Sequence, residues 1–164
     1  MSPSITPGDP RSPEIAALLA ESRALMDALF PVEDNHYLGP EALAGPEIVF
    51  LVARGADGTV LGTGALAPLA PQGLPEADPR MQGAEIKAMF TAPEARGSGV
   101  GAALLARLEA EALARGHRWL GLETGDALGP AIRLYERAGF IPCPPFGTYV
   151  AGPSSVFMHK RLTR

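Results

Sequence analysis

Six residues, Arg96-Gly97-Ser98-Gly99-Val100-Gly101, stand between an extended apolar segment and a strongly helical one. Strand, glycine-rich turn and helix in that order make a cradle for an anion. Glycines without Cβ let a ligand approach the backbone, and the helix beyond them offers unpaired N–H groups and the positive end of its dipole. The fold must therefore place a strand end and a helix start side by side, open to solvent.

The flanking segments supply the rest of an α/β architecture. Ser12-Pro13-Glu14 precedes Ile15, Leu18, Leu19, Leu25, Met26 and Leu29, an apolar face that ends at Pro31, so residues 13–30 are expected to form an amphipathic helix. Residues 47–54 and 59–67 are β-rich runs separated by Gly55-Ala56-Asp57-Gly58, and the Asp-Gly step predicts a tight antiparallel hairpin. Residues 68–83, rich in proline and glycine, are expected to be a loop. Residues 84–91 then read as a strand. Residues 99–115 read as a helix with Val100, Leu104, Leu105, Leu108 and Ala112 inward, a Glu111–Arg115 pair outward, and Gly116 as its stop. A strand over 118–124, a helix over 130–138 closed by Gly139, and terminal strands near 140–143 and 154–162 complete the expectation. With 164 residues the chain is expected to be one domain, its first twelve residues a flexible or edge segment.

Composition narrows the partners. A net charge of -4 with dispersed basic residues gives no support for nucleic-acid binding. No segment has the apolar length of a membrane span, and the first eleven residues lack a basic-then-apolar signal pattern, so no membrane association and a cytoplasmic location are expected. The single cysteine, Cys143, excludes an intrachain disulfide and reads as filler, and His117 and His159 have no spacing that argues for a metal.

Two owners of the phosphate compete. Gly97-Ser98-Gly99-Val100-Gly101-Ala102 satisfies the loose dinucleotide pattern G-x-G-x-x-A, and Glu123 stands about where a ribose-binding acid belongs. Against this, Thr91-Ala92-Pro93-Glu94-Ala95 separates strand from glycine, and too little chain follows to complete a doubly wound domain.

Three further motifs point elsewhere. Glu85-Ile86-Lys87-Ala88-Met89-Phe90-Thr91-Ala92-Pro93-Glu94 looks like a fourth strand with a proline-containing exit. Arg96 to Gly101 looks like an Arg/Gln-x-x-Gly-x-Gly/Ala pyrophosphate loop, and Ala131-Ile132-Arg133-Leu134-Tyr135-Glu136-Arg137-Ala138-Gly139-Phe140 looks like a penultimate helix running into Gly-Phe. In this order they resemble the GNAT superfamily of acyl-CoA-dependent N-acetyltransferases, from about Ile48 to the C-terminus. Leu122-Glu123-Thr124-Gly125 and Ser155-Val156-Phe157-Met158 resemble a bacterial stand-alone subgroup. One departure is that an Asn common in the family is Leu128 here.

The resemblance implies a central mixed, mostly antiparallel sheet of about six to seven strands flanked by about four helices, with the fourth and fifth strands splayed. It also implies acetyl-CoA as co-substrate, with no metal, and a small-molecule primary amine as acceptor, attacking directly in a ternary complex. Arg96 and the N–H groups of Gly97, Ser98, Gly99, Val100 and Gly101 would hold the pyrophosphate; the backbone of Met89, Phe90 and Thr91 would meet the pantetheine arm and thioester oxygen. Glu85 takes the position of a water-mediated base, or is an ion-pair partner of Lys87 on the same strand face. Tyr135 takes the position of the acid that protonates the leaving thiolate, or is core packing.

The acceptor side draws on Glu33, Asp34, His36, Tyr37, Lys87, Glu123 and Tyr149. Glu33 and Asp34 attract a cationic amine or form a solvated loop. Lys87 binds a substrate carboxylate or pairs with Glu85 or Glu123. A non-catalytic acyl-CoA-binding module and a protein N-terminal acetyltransferase remain alternatives, and a homodimer is compatible with the resemblance.

Overall fold

A computed structural model describes residues 2–69 and 82–163. The expected loop over 68–83 lies mostly outside the described residues, but Pro68 and Leu69 continue one strand and Gly83 begins the next. Among the described residues seven strands form one sheet and four helices cover it. The strands are β1 (Ser4–Pro7), β2 (Val49–Arg54), β3 (Val60–Leu69), β4 (Gly83–Thr91), β5 (Trp119–Gly125), β6 (Ile141–Pro142) and β7 (Ser155–Arg161). Their order is β1-β2-β3-β4-β5-β7-β6, and every neighbouring pair is antiparallel except β4 with β5. This is the mixed, mostly antiparallel sheet expected.

The helices are α1 (Pro13–Leu29), α2 (Pro40–Leu43), α3 (Val100–Ala114) and α4 (Gly129–Arg137). Pro13 opens α1 at a position whose N–H needs no partner, and the chain turns extended at Phe30 ahead of Pro31. Ile15, Leu18 and Leu19 are buried as expected, but Leu29 is 43% exposed, because the apolar stripe leaves the sheet in the last turn. α3 buries Val100, Leu104, Leu105, Leu108 and Ala112, and ends where Gly116 adopts φ 87° and His117 N–H bonds Ala112 O. Glu111 is shared: Arg107 approaches it to 2.9 Å and Arg115 to 3.8 Å.

Strand alternation sorts side chains onto two faces. Leu51, Ala53 and Leu66 join α3 in the larger core, while Phe50, Val52 and Ala65 pack with Ile15, Leu19 and Leu43 of α1 and α2 on the other. A third cluster, Trp119, Phe146 and Phe157, supports the far end of β5 and β7. Two features aim these layers at a common opening. β4 carries one extra residue opposite β3, since Thr63 pairs with Phe90 and Ala65 with Lys87, and Ala88 takes φ 53°. Such a bulge bends its strand, and buried Thr63 holds it by donating Oγ1 to Ala88 O at 2.7 Å. Pairing between β4 and β5 then stops at Glu85–Gly121, although both strands continue.

Gly125 closes one wall of this opening. A Cβ there would lie 2.1 Å from Phe30 Cζ, so the ring at the end of α1 rests on the bare backbone of β5. Gly125→Ala is expected to destabilise the fold by about 1–3 kcal/mol, the usual range for overpacking, with a smaller loss in a Phe30→Leu background. Urea denaturation measures both; an unchanged midpoint for Gly125→Ala would contradict this contact.

Candidate active site

Where β4 and β5 part, a cleft of about 170 Å³ opens between them. Glu85 and Lys87 of β4 and Glu123 of β5 project on the α1 side of the sheet, whereas Ile86, Leu122 and Tyr135 belong to the core on the α3 side. All six line the same cleft. The opening therefore runs through the sheet from one face to the other, which a fully paired sheet would forbid.

On the α1 side the polar groups form a chain. Lys87 Nζ donates to His36 O at 2.7 Å, to Tyr149 Oη at 2.9 Å and to Glu85 Oε2 at 3.4 Å. Tyr149 Oη in turn donates to Glu85, 2.7 Å from Oε2 and 3.0 Å from Oε1. His36 Nδ1 meets Glu123 Oε1 at 2.8 Å. Glu85 is 5% exposed. Burial pushes its carboxyl above the usual range, opposed by the Lys87 charge and the Tyr149 hydrogen bond and reinforced by the Glu123 charge. Burial and the Glu85 carboxylate raise the Tyr149 hydroxyl, so it stays protonated as the donor of this pair. Its ring is fixed by Phe146, Phe157 and His36.

On the α3 side Tyr135 is 6% exposed and packs edge-on against Phe140. Burial alone raises its hydroxyl, and no described residue hydrogen-bonds it. A protonated phenol facing a cleft without a protein partner can donate to a ligand.

The glycine loop lies at the start of α3. Gly97 and Gly99 have φ of 80° and 88°, which favours glycine over any other residue although a Cβ at either would meet nothing. No side chain caps α3, so its first N–H groups face solvent. Ser98 Oγ donates to Ala95 O within the loop. Arg96 is exposed, its guanidinium 5.5 Å from the centre of the Phe90 ring and its Nε donating to Thr91 O. Gly101 sits close to Leu134 of α4 and Thr91 of β4, so loop and Tyr135 helix share one side of the sheet. The cradle suits a phosphate-bearing ligand: two glycines of positive φ, a helix start with no side-chain cap, and an exposed guanidinium beside them.

The structure thus brings Glu85, Lys87, Glu123, His36, Tyr149 and Tyr135 around one cleft, although Tyr149 reaches it through Glu85 and Lys87 rather than as part of its lining. Met89, Asp34 and Tyr37 also line it; Phe90 and Thr91 do not, and the Phe90 side chain is buried in the core. Arg96 to Gly101 lie beyond its lining. Glu33, exposed on the turn over Val32–Asp34, does not line the cleft; it borders a second depression beside Thr148 and Val150 that shares Asp34 and His36 with it. Met26, Phe30, Leu128 and Ser154 also line the cleft; Met26 is signalled in the sequence by the helical stripe and Leu128 by its place in the resembled motif, while Phe30 and Ser154 depend on contacts across the fold. Cys143 lies outside the cleft, its thiol pushed up to about 11 by burial. Among the described residues no helix is long and apolar enough to cross a membrane.

Comparison with known proteins agrees with this geometry. The profile of the acetyltransferase (GNAT) family matches residues 15–140. An IAA acetyltransferase of Azospirillum brasilense is 41% identical over 153 residues, covering 93% of this chain and 94% of its own. The uncharacterised N-acetyltransferase YsnE of Bacillus subtilis is 39% identical, covering 91% of this chain and 93% of its own. The crystal structure of a candidate acyl-CoA N-acyltransferase from Klebsiella pneumoniae superposes with a TM-score of 0.77 at 33% identity, over 98% of each chain.

The hydrogen-bond chain makes a directional prediction. Lys87→Met and Tyr149→Phe each remove an influence that lowers the Glu85 pKa, so both should raise it, Lys87→Met by more. Carbon-13 NMR titration of the Glu85 carboxyl measures this; an unmoved or lowered value would refute the arrangement.

Proposed function

Since the chain belongs to the GNAT family and is an acyltransferase, we propose that it transfers the acetyl group of acetyl-CoA to the primary amine of a small molecule, by direct attack in a ternary complex. The observation that carries this reading is the cleft through the sheet, with Glu85 on one side and Tyr135 on the other. The name of the Azospirillum relative, an IAA acetyltransferase, supports a small-molecule acceptor.

In this reading the pyrophosphate rests on the N–H groups of Gly97 to Gly101 beside Arg96, where helix dipole and charge act together. The pantetheine arm follows β4 past Thr91, Phe90 and Met89 into the gap, where strand amides freed by the splay can polarise the thioester carbonyl. The acceptor enters from the α1 side. A protonated amine has no lone pair for attack, so it first gives a proton to Glu85, through water because Tyr149 and Lys87 already cover that carboxylate. The raised pKa of Glu85 makes it a stronger base than an ordinary carboxylate. The amine nitrogen then bonds to the carbonyl carbon, the carbon–sulfur bond breaks, the nitrogen releases its second proton to water in the cleft, and the Tyr135 hydroxyl gives its proton to the departing thiolate. Tyr135 recovers a proton from solvent.

Two variants test the assignment, with thiol release from acetyl-CoA followed across a panel of amines. Tyr135→Phe should lower kcat about 100-fold or more, the usual range for losing a general acid, with its denaturation midpoint almost unchanged. Wild-type kcat/KM should fall toward acid with an apparent pKa above the 4.5 of an ordinary glutamate, and Glu85→Gln should abolish that limb. Full turnover by Tyr135→Phe, or an acid limb unaltered in Glu85→Gln, would contradict the roles.

A further inference from the structure

Glu85, buried, and Glu123, largely covered, differ in what they leave for a ligand. Glu85 is committed: Tyr149 Oη lies within hydrogen-bond distance of both its oxygens, and Lys87 Nζ reaches Oε2 as well. Glu123 is half committed. His36 occupies Oε1, while Oε2 is buried and has no hydrogen-bond partner. An ionised carboxylate can only accept, so His36 Nδ1 carries the hydrogen and fixes the carboxylate's orientation. A buried charged oxygen left unmet is costly in the free protein, and that cost is recovered when a ligand supplies the missing donor.

The cations of the cleft are committed too. Lys87 gives its hydrogens to His36 O, Tyr149 and Glu85. His36 is bound to Glu123, and no arginine lies among the described lining residues. Asp34, Glu85 and Glu123 therefore face a single lysine that has no donor to spare. A ligand carboxylate entering here meets like charge without a counter-ion, whereas an ammonium meets a carboxylate at the cleft wall with one oxygen unpaired.

We propose that Glu123 Oε2 receives the acceptor's ammonium, and that the cleft thereby selects primary amines with no carboxylate beside the amine. The proposal rests on the acetyl-transfer reading above and adds the acceptor's class and its anchor. Glu123 binds and orients the amine; His36 is a positioning residue that acts through Glu123. Lys87, expected from the sequence either to bind a substrate carboxylate or to form an ion pair, takes the second role.

Matched pairs of acceptors provide the test: phenethylamine with phenylalanine and tryptamine with tryptophan. In each pair of which the wild-type enzyme acetylates a member, the amine should have a kcat/KM at least about tenfold above its amino acid, because the amino acid brings its carboxylate among like charges without a counter-ion. Glu123→Gln replaces the open acceptor by a donor at constant shape. It should raise the KM for the amine by about tenfold or more, leave the KM for acetyl-CoA unchanged and the thermal midpoint no lower, and narrow the preference within each pair. An amine KM within twofold of wild type in a folded Glu123→Gln enzyme, or a preference for the amino acids, overturns the proposal. Should the variant melt early, the preference of the wild-type enzyme within the pairs upholds or overturns the proposal by itself. If the wild-type protein binds acetyl-CoA and acetylates no amine of a broad panel, the acetyl-transfer reading itself fails and this proposal with it.

Discussion

The cleft on which the proposed chemistry rests opens where two parallel strands stop pairing. β4 and β5 hydrogen-bond from Gly83–Trp119 to Glu85–Gly121 and no further, although each strand continues. The cause lies on the other side of β4, where the extra residue at Ala88 bends the strand and Thr63 holds the bend. Ala88 is the one non-glycine with positive φ among the described residues. Conformations of that kind persist only where the surroundings impose them, and they gather at sites. Here that local strain accompanies a gap through the sheet.

The gap joins two environments that strand alternation would otherwise keep apart. On the α3 side it is lined by core residues and a buried tyrosine, next to the glycine loop and an uncapped helix. On the α1 side it is lined by carboxylates and a lysine held in one hydrogen-bonded chain. In the proposed reading the phosphate cradle and Tyr135 lie on the α3 side and the Glu85 carboxylate on the α1 side of one sheet. Buried like charges raise one another's affinity for protons, and the influence of Glu123 on Glu85 is an instance. Lys87 and Tyr149 keep that effect in check.

Much of the architecture is legible in the sequence because its signals are local. Pro13 and Phe30-Pro31 bracket α1, Gly116 and Gly139 stop α3 and α4, and the Asp57-Gly58 step sits in the turn between β2 and β3. The four-residue helix Pro40–Leu43 leaves no trace in the sequence pattern, because one turn has no periodicity. Pro68 and Leu69 resemble loop rather than strand because a proline near a strand end looks like a breaker. For the site, residue types and strand faces are legible: Glu85 and Lys87 alternate onto one face and do meet. Partnerships across the chain are not. The Lys87 bond to a backbone carbonyl at His36 and the Phe30 ring over Gly125 depend on how distant segments dock.

The central claim is that donor and acceptor approach from opposite faces of the sheet. A bisubstrate analogue, CoA joined through an acetyl bridge to a small amine, tests it by amide chemical-shift mapping against acetyl-CoA alone. Both ligands should perturb Gly97, Gly99 and Gly101, while the analogue alone should also perturb His36, Glu85 and Glu123 across the sheet. An analogue whose amine end leaves those three residues undisturbed, and perturbs only the α3 side, would contradict the account.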